Sequence, residues 1–173
     1  MSESTVLESI NVNKTFSQGG RSIEVLTDLN LELKNKERVA IVGRSGCGKS
    51  TLLHVLAGLD EVDSGVINVI GSDLTKASSD ERAQLRLRGM GFVYQAHHLL
   101  PEFSAVENVA MPLRLQGASA TESARAAGDL LIEIGLAERL DHFPDQMSGG
   151  ERQRVAVARA VCANPTILLA DEP

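Results

Sequence analysis

Apolar and polar residues alternate in several short segments of the chain, which predicts β-strands. Leu29, Leu31 and Leu33 alternate with polar neighbours in the period-two pattern of a half-buried strand. The uninterrupted apolar runs at 39–42 and 167–170 are typical of strands that are buried on both faces of a sheet. Further strands are predicted at 6–12, 65–70 and 91–94.

Four helices are predicted from a common start signal, the capping box, in which a Ser or Thr N-cap precedes a Glu by three residues. One of these helices is expected to end near Ile134, because Gly135 follows as a typical C-terminal residue. The last is expected to end near Ala163, before a proline that stops it. The four pairs are Ser78 with Glu81, Ser104 with Glu107, Ser119 with Glu122 and Ser148 with Glu151.

Strands therefore dominate the first half of the chain, and helices dominate the stretch from about 96 to 163. This order predicts a single α/β domain that spans residues 1–173. Residues 1–95 and 164–173 are expected to form its strand-rich core. Residues 96–163 are expected to form a helical subdomain inserted into that core.

Length, composition and charge narrow the classes of function. The 173 residues, 43% of them hydrophobic, fit one globular domain. No apolar run approaches the roughly 18–20 residues that cross a bilayer, and the first residues lack the pattern of a signal peptide. A net charge of −6 argues against a nucleic-acid-binding protein, which usually has a basic face. A cytoplasmic location is expected, with attachment to the inner face of a membrane as an option.

The segment 43–50 matches the phosphate-binding pattern G-x-x-x-x-G-K-[ST], between a predicted strand and a helix at about 49–57. Its glycines allow backbone amides to turn towards phosphate oxygens at a helix N-terminus. Lys49 can reach the β- and γ-phosphates, and the Ser50 hydroxyl can bind Mg²⁺. The predicted ATP-binding residues here are Gly43, Arg44, Ser45, Gly46, Cys47, Gly48, Lys49, Ser50 and Thr51.

The two cysteines form neither a disulfide framework nor a CxxC site. Cys162 lies in a run of small helical residues and is interpreted as a buried thiol. Cys47 lies inside the phosphate loop and has two interpretations. It is a small side chain that fills space, or a thiol activated by positive charge at a helix start.

The segment Ser148-Gly149-Gly150-Glu151 opens a predicted helix with two adjacent glycines, which are poor helix formers. Either it is an ordinary solvent-facing cap, or its exposed backbone binds an anion. The segment resembles the Leu-Ser-Gly-Gly-Gln signature of the ATP-binding cassette (ABC) family, with Met147 in place of Leu and Glu151 in place of Gln. The resemblance implies that Ser148, Gly149, Gly150 and Glu151 contact the ATP held by a second copy, in a head-to-tail dimer.

Two carboxylates, Asp171 and Glu172, end the apolar run 167–170, and Gln95 follows another predicted strand. The carboxylates form either a turn into the next residue or the family's second nucleotide motif. The resemblance implies that Asp171 orients Mg²⁺ and that Glu172 is catalytic, polarising the attacking water. It implies that Gln95 senses Mg²⁺ and the γ-phosphate. Phe16 lies where the family stacks an aromatic ring on adenine, although a core phenylalanine is an alternative.

The resemblance implies a P-loop NTPase fold. This fold has a RecA-like core sheet, an N-terminal antiparallel β portion and an inserted helical subdomain. It also implies ATP hydrolysis with Mg²⁺, coupled to transport by transmembrane permease subunits. The segments 53–60, 94–113 and 148–156 resemble the lipoprotein-releasing members of the family, whose permeases are LolC/LolE-like and lie in the bacterial inner membrane. Related members that serve macrolide export or cell division share much of this pattern.

Two other classes of function are weighed against transport. Cassette proteins that act on ribosomes or DNA usually carry two cassettes or a long coiled coil, and neither occurs in this sequence. A P-loop kinase would not need the Ser-Gly-Gly helix or Gln95. The family continues beyond the acidic strand to a switch histidine, and no histidine follows Glu172. We therefore expect the 173 residues to be a C-terminally truncated cassette with little ATPase activity of its own.

Overall fold

The computed structural model describes residues 4–172, which form two compact units, one up to Arg86 and one from Leu87. The first unit is mainly a sheet. Its elements are β1 (Thr5–Gln18), β2 (Arg21–Lys34), α1 (Lys49–Leu56), β3 (Ser64–Val69) and β4 (Ser72–Asp73). The helix α2 (Ser79–Gly89) follows and continues across the division between the units.

The sheet of the first unit is antiparallel, in the order β2-β1-β3-β4. Gly19 and Gly20 connect β1 to β2 with positive φ angles of 58° and 77°. Such angles suit the tight turn of a hairpin. Leu7 and Val12 of β1, which lie on either side of a register shift, and the alternate residues Ile67 and Val69 of β3 are buried, which gives the sheet one apolar face. The predicted antiparallel portion near the N-terminus is thus confirmed, and its first two strands are longer than predicted.

The strand predicted at residues 39–42 does not form, and this prediction was wrong. These residues are not extended into any sheet, and Val42 is 89% exposed and Val39 46% exposed. A strand buried on both faces needs hydrogen-bonded neighbours along its edges. Within residues 4–172 none of the six strands pairs with this run. Its hydrophobicity alone does not create a strand.

The second unit combines a parallel pair of strands with three helices. Its elements are β5 (Met90–Val93), α3 (Ala105–Leu115), α4 (Ala120–Glu133), α5 (Gly149–Val161) and β6 (Ile167–Ala170), with 3₁₀ turns at Ala137–Arg139 and Pro144–Gln146. β5 pairs in parallel with β6, from Met90 opposite Ile167 to Val93 opposite Ala170. A Cβ atom on Gly91 would lie 2.1 Å from the carbonyl oxygen of Ala160, so only glycine allows α5 to approach β5 this closely.

All four predicted capping boxes are present. In α3, α4 and α5 the N-cap serine accepts a bond from the backbone N–H three residues later, and the glutamate accepts one from the serine N–H. Ser78 and Glu81 make the same exchange at the start of α2. The helix predicted to end near Ile134 ends at Glu133, and the one predicted to end near Ala163 ends at Val161. These differences lie within the usual uncertainty of helix ends.

The helices of the second unit enclose an apolar core that includes Val109, Leu131, Leu136 and Val155. Asn108 is buried completely beside this core. Its amide oxygen accepts a bond from the Leu100 N–H at 2.8 Å. Its amide nitrogen donates to three carbonyl oxygens, those of Leu100, Phe103 and Ser104. Asn108 thereby fixes the loop before α3.

We expect Asn108→Ala to lower the free energy of unfolding by about 3 kcal/mol, because it leaves several buried backbone groups without a partner. Urea unfolding of the full-length protein measures this loss. The control is Gln153→Ala, which removes an exposed amide on α5 and should change the free energy by less than about 0.5 kcal/mol. Equal stability of the two variants would show that Asn108 does not hold the loop.

Among the helices of residues 4–172, none combines the length and hydropathy needed to cross a membrane. The division into a core (1–95 and 164–173) and a helical subdomain (96–163) stays a prediction.

Candidate functional site

The phosphate loop of the first unit leads directly into α1. Gly48 is the N-cap of this helix and has a φ of 97°, a left-handed conformation that favours glycine. A Cβ atom there would also lie 2.5 Å from a methyl group of Val25. Among the residues that the structure describes, no side chain caps the helix, and its first turn contains no acidic residue. The N-terminal amides of α1 are therefore available to an anion, as the sequence pattern predicts.

Lys49, the first residue of α1, turns back over the loop that precedes it. Its Nζ donates to the carbonyl oxygens of Gly43 at 3.1 Å and Arg44 at 3.2 Å. The loop residues from Gly43 to Cys47 are exposed, and so is Ser50. The ammonium group is therefore held at an open surface, among groups that an incoming phosphate can replace.

The two cysteines lie in different surroundings. Cys47 is exposed in the phosphate loop, and its Sγ lies so near Gly43 that a Cβ on this glycine would be 2.6 Å away. Cys162 packs against the helical core, and burial raises the pKa of its thiol. Cys162 is thus a partly buried thiol that remains protonated at neutral pH, in line with its predicted packing role.

Phe16 lies on β1 opposite Ile23 and is 40% exposed, so it is not a core residue. The Nζ of Lys14 lies 5.0 Å from the centroid of its ring, a cation–π distance. The structure thus leaves the ring accessible to a stacking partner. Its contact with adenine stays a prediction.

Gln95 and Glu172 meet at the carboxyl ends of the parallel strands β5 and β6. The Nε2 of Gln95 donates to the Oε2 of Glu172 at 2.8 Å. The Asp171 N–H donates to the carbonyl oxygen of Val93 at 2.9 Å, which continues the ladder between the two strands. The parallel pairing thus brings together two predicted site residues that are 77 positions apart in sequence.

The turn after Gln95 has a strained backbone that α5 holds in place. His97 and His98 both have positive φ angles, 63° and 46°. Successive left-handed residues other than glycine are costly. Arg159 of α5 donates to the carbonyl oxygens of both histidines, at 2.8 Å and 2.7 Å. The Nε2 of His97 lies 3.3 Å from the carbonyl oxygen of Gly149, at the other end of α5. The turn is therefore fastened to α5 at two points.

The predicted signature forms the first turn of α5, with Ser148 as its N-cap. Gly149 and Gly150 are exposed, and a Cβ on Gly150 would meet no atom of residues 4–172 within 4 Å. The Glu151 carboxylate accepts bonds from the Ser148 N–H at 2.7 Å and from Nε of Arg139 at 2.8 Å. These donors lower the pKa of Glu151 to about 2, the Ser148 N–H having the largest effect. The glycine backbone is open to a partner, while Glu151 is engaged within its own chain.

The residues predicted to bind Mg²⁺ supply oxygen atoms only. They are the hydroxyl of Ser50, the amide oxygen of Gln95 and the carboxylate of Asp171, which is partly buried after β6. Mg²⁺ prefers such ligands, and in nucleotide sites one or two carboxylates usually complement substrate phosphates and water. The chemistry of these donors therefore fits Mg²⁺.

Sequence patterns did not reveal the roles of Arg139, Arg159 and His97. Arg139 binds a carboxylate that is 12 positions away in sequence. Arg159 binds two backbone carbonyl oxygens that are about 60 positions away. A carbonyl acceptor leaves no mark in the sequence, so no pattern predicts such a contact. The only available signal was that Arg159 is a long charged residue within a run of small and apolar helical positions.

Comparison with known proteins places these features in one family. The ABC transporter family model matches residues 26–173. The lipoprotein-releasing system ATP-binding protein LolD of Idiomarina loihiensis is 51% identical over 168 residues, 97% of this chain and 74% of the relative. The LolD of Psychrobacter arcticus is 51% identical over 171 residues, 98% of this chain and 76% of the relative. This chain therefore corresponds to about three quarters of these relatives.

Solved structures give the same result for the fold. The dimeric structure of a post-hydrolysis state of the ATP-binding cassette MJ0796, bound to ADP and Pi, superimposes with a TM-score of 0.91. The sequences are 37% identical, and the match covers 95% of this chain and 73% of that one. A second dimeric structure of MJ0796, described as a bacterial ABC transporter cassette, has a TM-score of 0.90. The predicted cassette fold is thus confirmed.

Proposed function

We propose that this chain, which belongs to the ABC transporter family, is the ATP-binding and ATP-hydrolysing subunit of a bacterial inner-membrane transporter. The transporter releases lipoproteins from the inner membrane towards the outer membrane. The observation that carries this assignment is the similarity of nearly the whole chain to two lipoprotein-releasing ATP-binding proteins. The cassette fold alone would fit many cargoes.

The first step that the residues support is capture of the ATP phosphates at the start of α1. The ammonium of Lys49 exchanges the carbonyl oxygens of Gly43 and Arg44 for phosphate oxygens. The uncapped amides of the first turn supply further donors, and the helix dipole favours the negative charge. Phe16 is proposed to stack on the adenine.

Glu172 is proposed to be the base that orients and polarises the attacking water. Its carboxylate accepts a bond from the amide of Gln95, so Gln95 holds it in a defined position before the reaction. Gln95 and Asp171 of the second unit would supply oxygen ligands to Mg²⁺, which would neutralise charge that develops on the phosphate oxygens. Gln95 is thus proposed to contact both the base and the metal site.

The exposed backbone of Gly149 and Gly150 is proposed to bind the ATP held by a second copy of the chain. Two features support this. The helix start offers amide donors to an anion, and the similar MJ0796 cassette has dimeric structures. ATP would then close a head-to-tail dimer, and hydrolysis would reopen it. The difference in ATP contacts between the two states drives the cycle.

The dimer is proposed to act on transmembrane permease subunits of the LolC/LolE kind, at the cytoplasmic face of the inner membrane. The turn after Gln95 is fastened to α5 through Arg159 and His97. Movement of α5 when the dimer closes would therefore be passed to the segment that precedes α3. A short permease helix docked near this segment would receive that movement.

Capture from native membranes tests the assignment. The full-length protein carrying Glu172→Gln is trapped with MgATP, solubilised and purified with its partners, which mass spectrometry identifies. We expect a permease pair with bound lipoproteins, and no enrichment when Lys49→Ala is added. Recovery of a drug-efflux or cell-division permease would support the assignment to a transporter but would contradict lipoproteins as its cargo. Recovery of ribosomes would overturn the transport function.

A further inference from the structure

Glu151 carries a negative charge at the motif where this chain is proposed to bind a nucleotide. The family signature that the segment resembles has an uncharged glutamine in this position. A carboxylate in the first turn of α5 would repel a triphosphate approaching Gly149 and Gly150. Like charges at a protein surface repel each other, and the repulsion is strongest at low salt. Something must offset this charge if the site is to accept ATP.

Protonation does not remove the charge. The donors around Glu151 keep its pKa near 2, so the carboxylate is ionised at any physiological pH. The offset must therefore come from a cation. Among the described residues, the cation paired with this carboxylate is Arg139, whose Nε donates to Oε1 at 2.8 Å.

The second carboxylate oxygen is also occupied. Oε2 accepts the Ser148 N–H at 2.7 Å, while the Glu151 N–H donates to the Ser148 hydroxyl at 3.3 Å. The side chain of Glu151 is thus held alongside the N-cap, with Oε2 bonded to Ser148 and Oε1 bonded to Arg139. This arrangement leaves the backbone of Gly149 and Gly150 exposed.

The backbone of Arg139 is held in place by the helical core. It ends the 3₁₀ turn Ala137–Arg139, where its N–H donates to the carbonyl oxygen of Leu136 at 2.9 Å. Leu136 is a fully buried member of the helical core. The guanidinium therefore projects from a rigid turn, which suits a group that must hold another side chain in place.

Stability alone does not explain the pair. The side chain of Arg139 is 40% exposed and that of Glu151 is 19% exposed. Ion pairs at this level of exposure contribute little to folding. The capping box also persists without Arg139, because it needs only Ser148 and Glu151. Arg139 is therefore expected to act on the net charge of the motif that is proposed to meet a nucleotide, rather than on the stability of the fold.

We propose that Arg139 is a positioning residue that neutralises Glu151 and keeps its carboxylate against the N-cap, so that the first turn of α5 accepts the ATP of a second copy. The inference rests on the proposed function, because it assumes that the signature binds nucleotide in trans. It adds a residue outside the signature to the machinery of dimer closure.

A double-mutant cycle tests it. The parent is the full-length protein with Glu172→Gln, compared with the same protein carrying Arg139→Ala, Glu151→Gln or both. Sedimentation measures the dimer dissociation constant in MgATP at 50 mM and 500 mM KCl. Arg125→Ala on α4 is the matched control, since this arginine is exposed and the structure gives it no ion pair among the described residues. Arg139→Gln repeats the test with a side chain that keeps N–H donors but lacks the positive charge.

We expect Arg139→Ala and Arg139→Gln to weaken the dimer about tenfold at low salt and less than about threefold at high salt, because salt screens the exposed charge. In the Glu151→Gln background the loss should shrink to less than about twofold, since no carboxylate remains to be neutralised. Thermal unfolding should be unchanged by Arg125→Ala and little changed by Arg139→Ala.

Two failures have different meanings. If the parent does not dimerise with MgATP, the proposed function is wrong, and the inference falls with it. If the parent dimerises but the arginine variants match it, only the inference is wrong. A loss that persists equally in the Glu151→Gln background, or that salt leaves unchanged, also overturns the inference, because it would show a purely structural role.

Discussion

Glu172→Gln in the full-length protein is expected to lower ATP turnover by a factor of about 10²–10⁴ while MgATP binding persists, because an amide cannot act as the base for water. The substitution keeps the shape of the side chain. The amide of Gln95 can still donate to an oxygen at position 172, as it does to Oε2 of Glu172 at 2.8 Å. The geometry of the site should therefore survive. Steady-state phosphate release and equilibrium nucleotide binding measure the two quantities separately.

The control for this variant is Glu133→Gln, which changes an exposed carboxylate at the end of α4. It should hydrolyse ATP like the unmodified protein. Normal turnover by Glu172→Gln would show that another group activates the water. Loss of nucleotide binding together with turnover would show that Glu172 maintains the site rather than catalysing the reaction.

Lys49→Ala is expected to weaken ATP binding about 100-fold, since it removes a charge-assisted contact to phosphate. Lys49 donates to the carbonyl oxygens of Gly43 and Arg44, so its loss also loosens the phosphate loop. Titration with a fluorescent ATP analogue measures the dissociation constant. Lys76→Ala is the matched control, because this lysine is exposed and pairs with Asp73 rather than with the loop.

We expect Lys76→Ala to bind ATP with unchanged affinity and Lys49→Ala to unfold at nearly the same temperature as the unmodified protein. An affinity of Lys49→Ala within about twofold of the unmodified protein would contradict the assignment of Lys49 to the phosphates.

Features that depend on nearby residues were predictable from the sequence. All four capping boxes form where Ser precedes Glu by three positions, because both partners of each bond lie within one helical turn. The helix after the phosphate loop was predictable because the residues that start it are also adjacent in sequence. The pattern of the loop specifies a left-handed Gly48 and a lysine in the first helical turn.

Features that depend on distant residues were only partly predictable. The apolar run 39–42 has the composition of a buried strand, yet no strand within residues 4–172 pairs with it. A strand is a property of a pair of segments, so hydrophobicity in one of them cannot establish it. β1 extends to Gln18, beyond its apolar residues, because its outer half pairs with β2 across the Gly19-Gly20 turn.

The candidate site shows the same division. Glu172 and Gln95 were named from the sequence by resemblance, but their mutual hydrogen bond depends on the parallel pairing of β5 with β6. Arg139 and Arg159 escaped prediction because each acts on a group remote in sequence. Motifs thus identify the groups that are proposed to meet the nucleotide, whereas the side chains that position those groups emerge only from the structure.

The most direct test of the proposed function is release of lipoprotein from a membrane. The full-length protein and its captured permease are reconstituted in lipid vesicles that contain a fluorescent lipoprotein, and a soluble acceptor is added outside. With MgATP the proposed function predicts transfer of the lipoprotein to the soluble fraction, and retention in the vesicles when Glu172→Gln replaces the unmodified subunit. Vigorous ATP hydrolysis by the unmodified complex, with all lipoprotein still in the vesicles, would contradict it.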